Sequence, residues 1–316
     1  MKILANDGID DGGREKLQAA GFQVETQKIE QELLKENLKS FDVLLVRSAT
    51  KVTADIIASN PQLKIIGRAG VGLDNIDLDA AEKAGIKVIN TPAASSRSVA
   101  ELSFGHMLNL ARFLHQSNRE MPENGQTDFK KLKKNYSVGI ELYGKSLGVI
   151  GLGRIGREAA RIGLGLGMNI LPVDPFVNKQ EVEVDIYSGN LQKIKISLQT
   201  VALEEMLKNA DFITIHVPST KEPVIGKAQF SLLKKGVFLI NSSRGGAIDE
   251  DGLLQALQSG QVAGAGLDVF VGEPKPRQEL INHPNISVSP HIGASTAEAQ
   301  KRIGEELADQ IIHYFI

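Results

Sequence analysis

The chain has 316 residues, 42% of them hydrophobic, with a formal net charge of −2 and no cysteine. That length accommodates two ordinary domains, and the balanced charge leaves no extended basic surface of the kind that binds nucleic acid. Disulfides, thiolate metal sites and a cysteine nucleophile are excluded; no apolar stretch reaches bilayer length and Met1-Lys2-Ile3-Leu4 reads as a strand rather than a signal peptide, so a cytosolic protein is expected.

Short apolar runs at residues 2–5, 21–24, 42–46, 64–68 and 86–90 read as strands separated by helical stretches. Such alternation implies a parallel sheet covered by helices on both faces. Residues 97–115 are apolar at helical spacing and lead to a second series: a strand from Lys145, then 168–173, 212–216, 237–241, 263–269 and 286–288. Between these, residues 182–201 alternate in period two around Ser188-Gly189-Asn190, which reads as a small surface hairpin. Residues 296–315 form a helix after the second series has ended, so the chain is expected to cross back to the first sheet. The expectation is an α/β protein of two doubly wound parallel-sheet domains, residues 1–97 plus 293–316 and residues 98–292.

The second series opens with a glycine loop. Ser146-Leu147-Gly148-Val149-Ile150 delivers Gly151-Leu152-Gly153-Arg154-Ile155-Gly156 into a helical stretch, residues 154–166, and 18 residues after Gly156 the next strand ends in Asp174. Strand, loop, helix and distal acid together are the context in which a backbone cradles a pyrophosphate at a helix N-terminus. A carboxylate at Asp174 accepts hydrogen bonds from ribose hydroxyls and repels a 2′-phosphate, and Pro175 and Phe176 supply no cation to offset it, so NAD is expected rather than NADP.

Three further features fall at strand ends, where open α/β sheets bind ligands: Asn241-Ser242-Ser243-Arg244-Gly245-Gly246, Gly272-Glu273-Pro274 and Ser289-Pro290-His291-Ile292-Gly293-Ala294-Ser295-Thr296. An arginine to bind a carboxylate and polarise a carbonyl, with a histidine to exchange a hydroxyl proton, suits hydride transfer to or from a 2-hydroxy acid. Glu273 against the far ring nitrogen would orient the imidazole and favour its protonated form. Of the other histidines, His106 and His115 read as packing or interface residues, His283 and His313 as surface positions, and His216 as a strand end without an acid/base partner. No His, Cys or acidic cluster has metal-ligand spacing, so no metal is expected.

These segments, together with Arg47-Ser48-Ala49-Thr50, Gly67-Arg68-Ala69-Gly70-Val71-Gly72-Leu73-Asp74-Asn75, Asn90-Thr91-Pro92 and Gly266-Leu267-Asp268-Val269-Phe270, resemble the D-isomer-specific 2-hydroxyacid dehydrogenases across nearly the whole chain. Within that family the match is with members that oxidise D-3-phosphoglycerate to 3-phosphohydroxypyruvate at the start of serine synthesis. The resemblance implies a flavodoxin-like substrate domain and a Rossmann NAD domain. It implies that Arg244 binds substrate, His291 is the acid/base and Glu273 its partner. Asp268 would hold the nicotinamide carboxamide, and Val217 and Pro218 would flank the adenosine. Val71, Ser242, Ser243, Gly293 and Ala294 are implied on the cofactor side along with the glycine loop, Arg244 and His291.

In the first domain, Ala69-Gly70-Val71-Gly72 can present consecutive backbone N–H groups to the substrate carboxylate, and Arg47 with Ser48 can reach a distal phosphate. The sequence departs from the family pattern at Ala93-Ala94-Ser95-Ser96-Arg97-Ser98, where Arg97 either replaces a substrate contact or begins the connecting helix. A homodimer through residues 97–146 is expected, that segment bringing a lysine near Lys131 to the substrate, and no regulatory domain is expected beyond Ile316. The rival readings are a glyoxylate or hydroxypyruvate reductase, or another D-2-hydroxyacid dehydrogenase, and, from a different class, an NAD-sensing corepressor-like interaction protein.

Overall fold

In the computed structural model, which describes residues 1–188 and 190–316, the apolar runs become strands of two parallel sheets. The chain begins β1 (Lys2–Ala5), α1 (Asp11–Ala19), β2 (Gln23–Glu25), α2 (Leu34–Asn37), β3 (Val43–Val46), α3 (Ala54–Ser59), β4 (Ile65–Arg68), α4 (Leu78–Lys83) and β5 (Lys87–Asn90). It continues through α5 (Ser96–Ala111), α6 (Leu114–Asn124), α7 (Phe129–Asn135), β6 (Ser146–Ile150), α8 (Arg154–Gly165), β7 (Asn169–Val173), β8 (Lys179–Ser188) and β9 (Asn190–Gln199). It ends with α9 (Leu203–Asn209), β10 (Phe212–Ile215), α10 (Lys227–Phe230), β11 (Val237–Asn241), α11 (Glu250–Ser259), β12 (Val262–Leu267), α12 (Gln278–Ile281), β13 (Ile286–Val288) and α13 (Ala297–Phe315).

One compact unit comprises Met1–Ser98 with Ala294–Ile316. Its sheet has the order β2-β1-β3-β4-β5, the doubly wound arrangement of flavodoxin-like folds. Because side chains alternate across a strand, Ile3, Val43, Leu45 and Ile65 face one core with Leu17 of α1 and Ile303, Leu307 and Ile311 of α13. Leu4, Leu44, Val46 and Ile66 face the other with Leu34, Ile56 and Ile57. Burial on both faces is why these strands are apolar over their centres, with charge only at an end, as at Lys2 and Arg68. The last helix does return to the first sheet: α1 and α13 cross so closely that a Cβ on Gly13 would lie 2.6 Å from the Gly304 backbone.

The second unit comprises Val99–Gly293, and its six parallel strands run β13-β12-β11-β10-β6-β7. Order reverses on either side of β6, so the carboxyl ends of β6 and β10 form the switch point at which doubly wound sheets bind ligands. No described helix is long and apolar enough to cross a membrane.

Three expectations need correction. The second strand begins at Gln23 rather than Gly21, because Gly21 adopts φ 89° to close the turn after α1 and Phe22 is buried in the core. The helix expected over residues 97–115 ends at Ala111: Phe113 takes a left-handed backbone (φ 55°), the Ile140 N–H donates to the Ala111 carbonyl at 2.9 Å, and a new helix starts at Leu114. The hairpin runs from Lys179 to Gln199 instead of 182–201, ten residues in each strand, and is not wholly a surface feature: it docks on one face, where Val182 and Leu198 bury against Ala160 of α8. Its Gly189 lies outside the described residues.

Candidate active site

The glycine loop takes its shape from contacts that a side chain would break. Gly151 has φ 87°, and a Cβ there would strike the His216 carbonyl beyond β10; a Cβ on Gly156 would strike the Gly151 carbonyl, holding α8 tight against the loop. Gly153 has open space where its Cβ would be and is the N-cap of the twelve-residue α8, with no side chain capping that terminus. The Gly151 N–H is taken by the Val173 carbonyl and that of Leu152 by Asp174, so residues 153–156 are the part of the loop that fits the pyrophosphate of a dinucleotide, with backbone N–H groups at the positive end of the α8 dipole. Arg154 is exposed and Ile155 half-buried in the first turn.

Asp174 stands at the tip of β7 as expected, but both of its oxygens already accept backbone bonds, Oδ2 from Leu152 N at 2.7 Å and Oδ1 from Phe176 N at 2.8 Å. Each carboxylate oxygen has a second acceptor site. The acid thus ties the glycine loop to the end of β7, a role the spacing did not reveal. Val217 and Pro218 follow β10, the first half-buried and the second exposed.

His291, Glu273 and the Arg244 loop are brought together by a chain of short contacts. His291 Nδ1 lies 2.7 Å from Glu273 Oε2, and Glu273 Oε1 accepts the Phe270 N–H at 2.9 Å. The Phe270 carbonyl in turn occupies the place where a Cβ on Gly245 would go, so Gly245 lets the Arg244 loop close onto that backbone. Asn241 folds the loop, its Nδ2 donating to the Arg244 carbonyl at 2.8 Å and its Oδ1 accepting from Ser243 N and Oγ. Arg244 Nη1 donates to the Ser243 carbonyl at 2.7 Å. Ser242 is buried, receiving the Ser103 hydroxyl at 3.3 Å. With Nδ1 donating to a carboxylate, the imidazole presents Nε2 for proton exchange. His291 holds a left-handed backbone (φ 56°), uncommon for a residue with a side chain.

Asp268 is 1% exposed, and its carboxylate accepts from Ser289 Oγ at 2.6 Å and from the Ile292 and Gly293 N–H groups, each at 2.8 Å. It holds the turn that carries His291. The Ala294 carbonyl accepts from Gln300 Nε2 of α13 at 2.9 Å.

Sequence reasoning also passed over His106, which is buried and bonded on both ring nitrogens to Ser287 and Ser289. The available signal was the two-residue spacing of those serines, which puts them on one side of an extended strand. His216 carries no such network: Nε2 meets Thr214 Oγ1 at 3.0 Å, Nδ1 is buried without a partner among the described residues, and burial pushes its pKa down to about 3. Among the described residues no group of His, Cys, Asp and Glu is placed to hold a metal.

In the first unit, the loop after β3 is gathered by Asp7, which accepts from Arg47 N at 2.6 Å and from Thr50 N and Oγ1, while Asn75 Nδ2 donates to the Arg47 and Thr50 carbonyls. Arg47 Nε is buried with no hydrogen-bond partner among the described residues, and Ser48 is exposed. The loop after β4 corrects an expectation. Ala69 N donates to Val46 O at 2.8 Å, continuing the β3–β4 ladder, and Gly70 N donates to Arg68 O at 2.9 Å, so the run of four available N–H groups shortens to Val71 and Gly72. Asn90 Nδ2 steadies that loop by donating to the Val71 carbonyl at 2.7 Å.

Comparison with known proteins bears on these features. The family model for the D-isomer specific 2-hydroxyacid dehydrogenase, NAD binding domain, matches residues 104–293. A D-3-phosphoglycerate dehydrogenase of Methanocaldococcus jannaschii is 44% identical over 98% of this chain, which spans 57% of that relative's length. A hydroxypyruvate reductase of Thermotoga maritima is 42% identical over 98% of this chain and 97% of the relative. Among solved structures, cofactor (NAD+)-bound 3-phosphoglycerate dehydrogenase of Entamoeba histolytica superposes with a TM-score of 0.77 at 30% identity, covering 100% of this chain and 95% of the other. The chain belongs to the D-isomer-specific 2-hydroxyacid dehydrogenases and carries that family's NAD-binding domain.

Proposed function

We propose that the protein oxidises D-3-phosphoglycerate to 3-phosphohydroxypyruvate with NAD, the first step of L-serine synthesis. The observation that carries the reading is the His291–Glu273 pair at 2.7 Å, joined through Phe270 to the loop that holds Arg244. His291 Nε2 accepts the proton of the substrate hydroxyl, and Glu273 stabilises the imidazolium that results. Arg244 binds the substrate carboxylate and polarises the carbonyl as it forms. Residues 153–156 and the remaining acceptor sites of Asp174 would hold NAD, which when bound would supply the hydride acceptor.

The substrate's phosphate is assigned to Arg47 and Ser48. The buried Nε of Arg47, without a partner among the described residues, supports an anionic ligand there. Relatives named D-3-phosphoglycerate dehydrogenase favour the same substrate. Coverage of 97% of the hydroxypyruvate reductase supports a second reading, reduction of hydroxypyruvate at the same residues.

A homodimer through residues 97–146 belongs to this reading. Leu108, Leu114, Met121, Phe129, Val138 and Tyr143 of that segment are all at least 42% exposed, more apolar surface than a solvated linker carries. Light scattering at micromolar concentration tests it: a dimer is expected, and a monomer removes the proposal. The function itself is tested by following NADH formation from D-3-phosphoglycerate. His291→Ala and Arg244→Ala are expected to abolish most turnover with NAD affinity largely kept.

A further inference from the structure

The reaction as proposed makes no use of a buried histidine in the second unit. His106 lies on α5 and is 3% exposed, fitting there because β12 carries a glycine opposite it; a Cβ on Gly266 would be 2.5 Å from the His106 Cβ. Its Nδ1 lies 2.8 Å from Ser287 Oγ and its Nε2 2.9 Å from Ser289 Oγ.

The hydrogens in this network have one consistent direction. Asp268, as a carboxylate, only accepts. The Ser289 hydroxyl therefore donates to Asp268 Oδ1 and turns a lone pair to His106, so the imidazole hydrogen sits on Nε2. Burial holds the His106 pKa below its ordinary value and the ring neutral; its titratable neighbours are Asp268 and His115. Nδ1 is then an acceptor, the Ser287 hydroxyl donates to it, and Ser287 Oγ accepts from Asn109 Nδ2 at 3.3 Å. Hydrogen bonds thus run from Asn109 through Ser287, His106 and Ser289 to a carboxylate. That carboxylate's other acceptor sites hold the Ile292 and Gly293 N–H groups, immediately after His291.

We propose that His106, acting through Ser289 and Asp268, is a positioning residue that keeps the turn after His291 closed and so holds the His291 imidazole against Glu273. The proposal rests on the reading of His291 as acid/base. A buried, fully paired chain of this kind admits one arrangement, whereas loss of a member leaves a polar atom unsatisfied and the turn free to relax. The left-handed backbone of His291 is the conformation such a restraint is needed to maintain.

The test uses the whole chain with His106→Phe, His106→Gln and Ser289→Ala. The Nδ1–H resonance of His291 is followed by NMR without NAD at one fixed pH, and kcat, KM and the NAD Kd are measured with D-3-phosphoglycerate. His106→Phe and Ser289→Ala are expected to shift that resonance toward its position in Glu273→Gln, as the hydrogen bond to Glu273 loosens. They are also expected to lower kcat tenfold or more while KM and the NAD Kd stay within twofold. His106→Gln, whose amide supplies both a donor nitrogen and an acceptor oxygen, is expected to recover at least a third of the wild-type kcat. If His106→Phe does not fold, Ser289→Ala, which removes a single hydroxyl, decides. An unmoved resonance, or kcat within twofold of wild type, overturns the proposal. Should the wild-type protein turn over no D-2-hydroxy acid, the proposed function fails, and the resonance alone still decides whether His106 positions His291.

Discussion

Glu273 Oε2 takes the Nδ1–H of His291 at 2.7 Å while its Oε1 takes the backbone N–H of Phe270 at 2.9 Å, so one carboxylate both fixes the histidine and anchors itself to the end of its strand. Glu273→Gln keeps an acceptor for the ring but removes the charge that would stabilise a proton taken up during the reaction. A loss of kcat on the order of tenfold is expected, smaller than that of His291→Ala, with KM and the NAD Kd little changed. A kcat equal in wild type and Glu273→Gln would separate the pairing from the chemistry.

Asp174 ties the glycine loop to β7, and the proposed function adds selection of NAD, so one substitution tests both. Asp174→Ala removes the carboxylate that would repel a 2′-phosphate and also leaves the Leu152 and Phe176 N–H groups without their acceptor. A higher kcat/KM with NADP is expected, together with a loss of about 1–3 kcal/mol of stability. Matched kinetics with the two cofactors and a thermal melt check this; wild-type protein that already uses both cofactors equally would contradict it.

Acid is expected to weaken the second unit through a histidine rather than through carboxylates alone. His216 has its pKa pushed down from 6.5 to about 3 by burial. The unfolded chain therefore binds a proton that the folded chain refuses, so stability is present above pH 6.5 and lost as pH falls from there toward 3. At pH 5 the contribution is about 1–2 kcal/mol, with His106 adding in the same direction. The Tm of the wild type is expected to fall several degrees more between pH 7.5 and pH 5 than that of His216→Gln. Parallel melting curves would remove His216 as the cause.

The legible parts of the chain were those governed by local rules. Runs such as Val43-Leu44-Leu45-Val46 and Val237-Phe238-Leu239-Ile240-Asn241 are strands because burial on both faces demands an unbroken apolar run. Gly151, Gly153 and Gly156 declared themselves by spacing, and the structure supplies the clashes behind it. What was not legible depends on partners distant in sequence. The break at Phe113 is coupled to the Ile140 N–H, the loss of the Ala69 N–H to the Val46 carbonyl, and the fate of Asp268 to a turn some two dozen residues later. His106 looked like packing because its serine partners are 181 and 183 residues away.

The central claim is the phosphorylated substrate, and kcat/KM for D-3-phosphoglycerate against D-glycerate, with NAD in one assay, tests it most directly. On the proposed reading Arg47 and Ser48 would each make a charge-assisted contact to a phosphate, worth roughly 1.5–3 kcal/mol apiece, so D-3-phosphoglycerate is expected to lead on the order of a hundredfold or more. Arg47→Ala is expected to shrink that ratio by slowing D-3-phosphoglycerate and sparing D-glycerate. Equal efficiencies on the two acids would contradict the account, leaving a D-2-hydroxyacid dehydrogenase that makes no use of a phosphate.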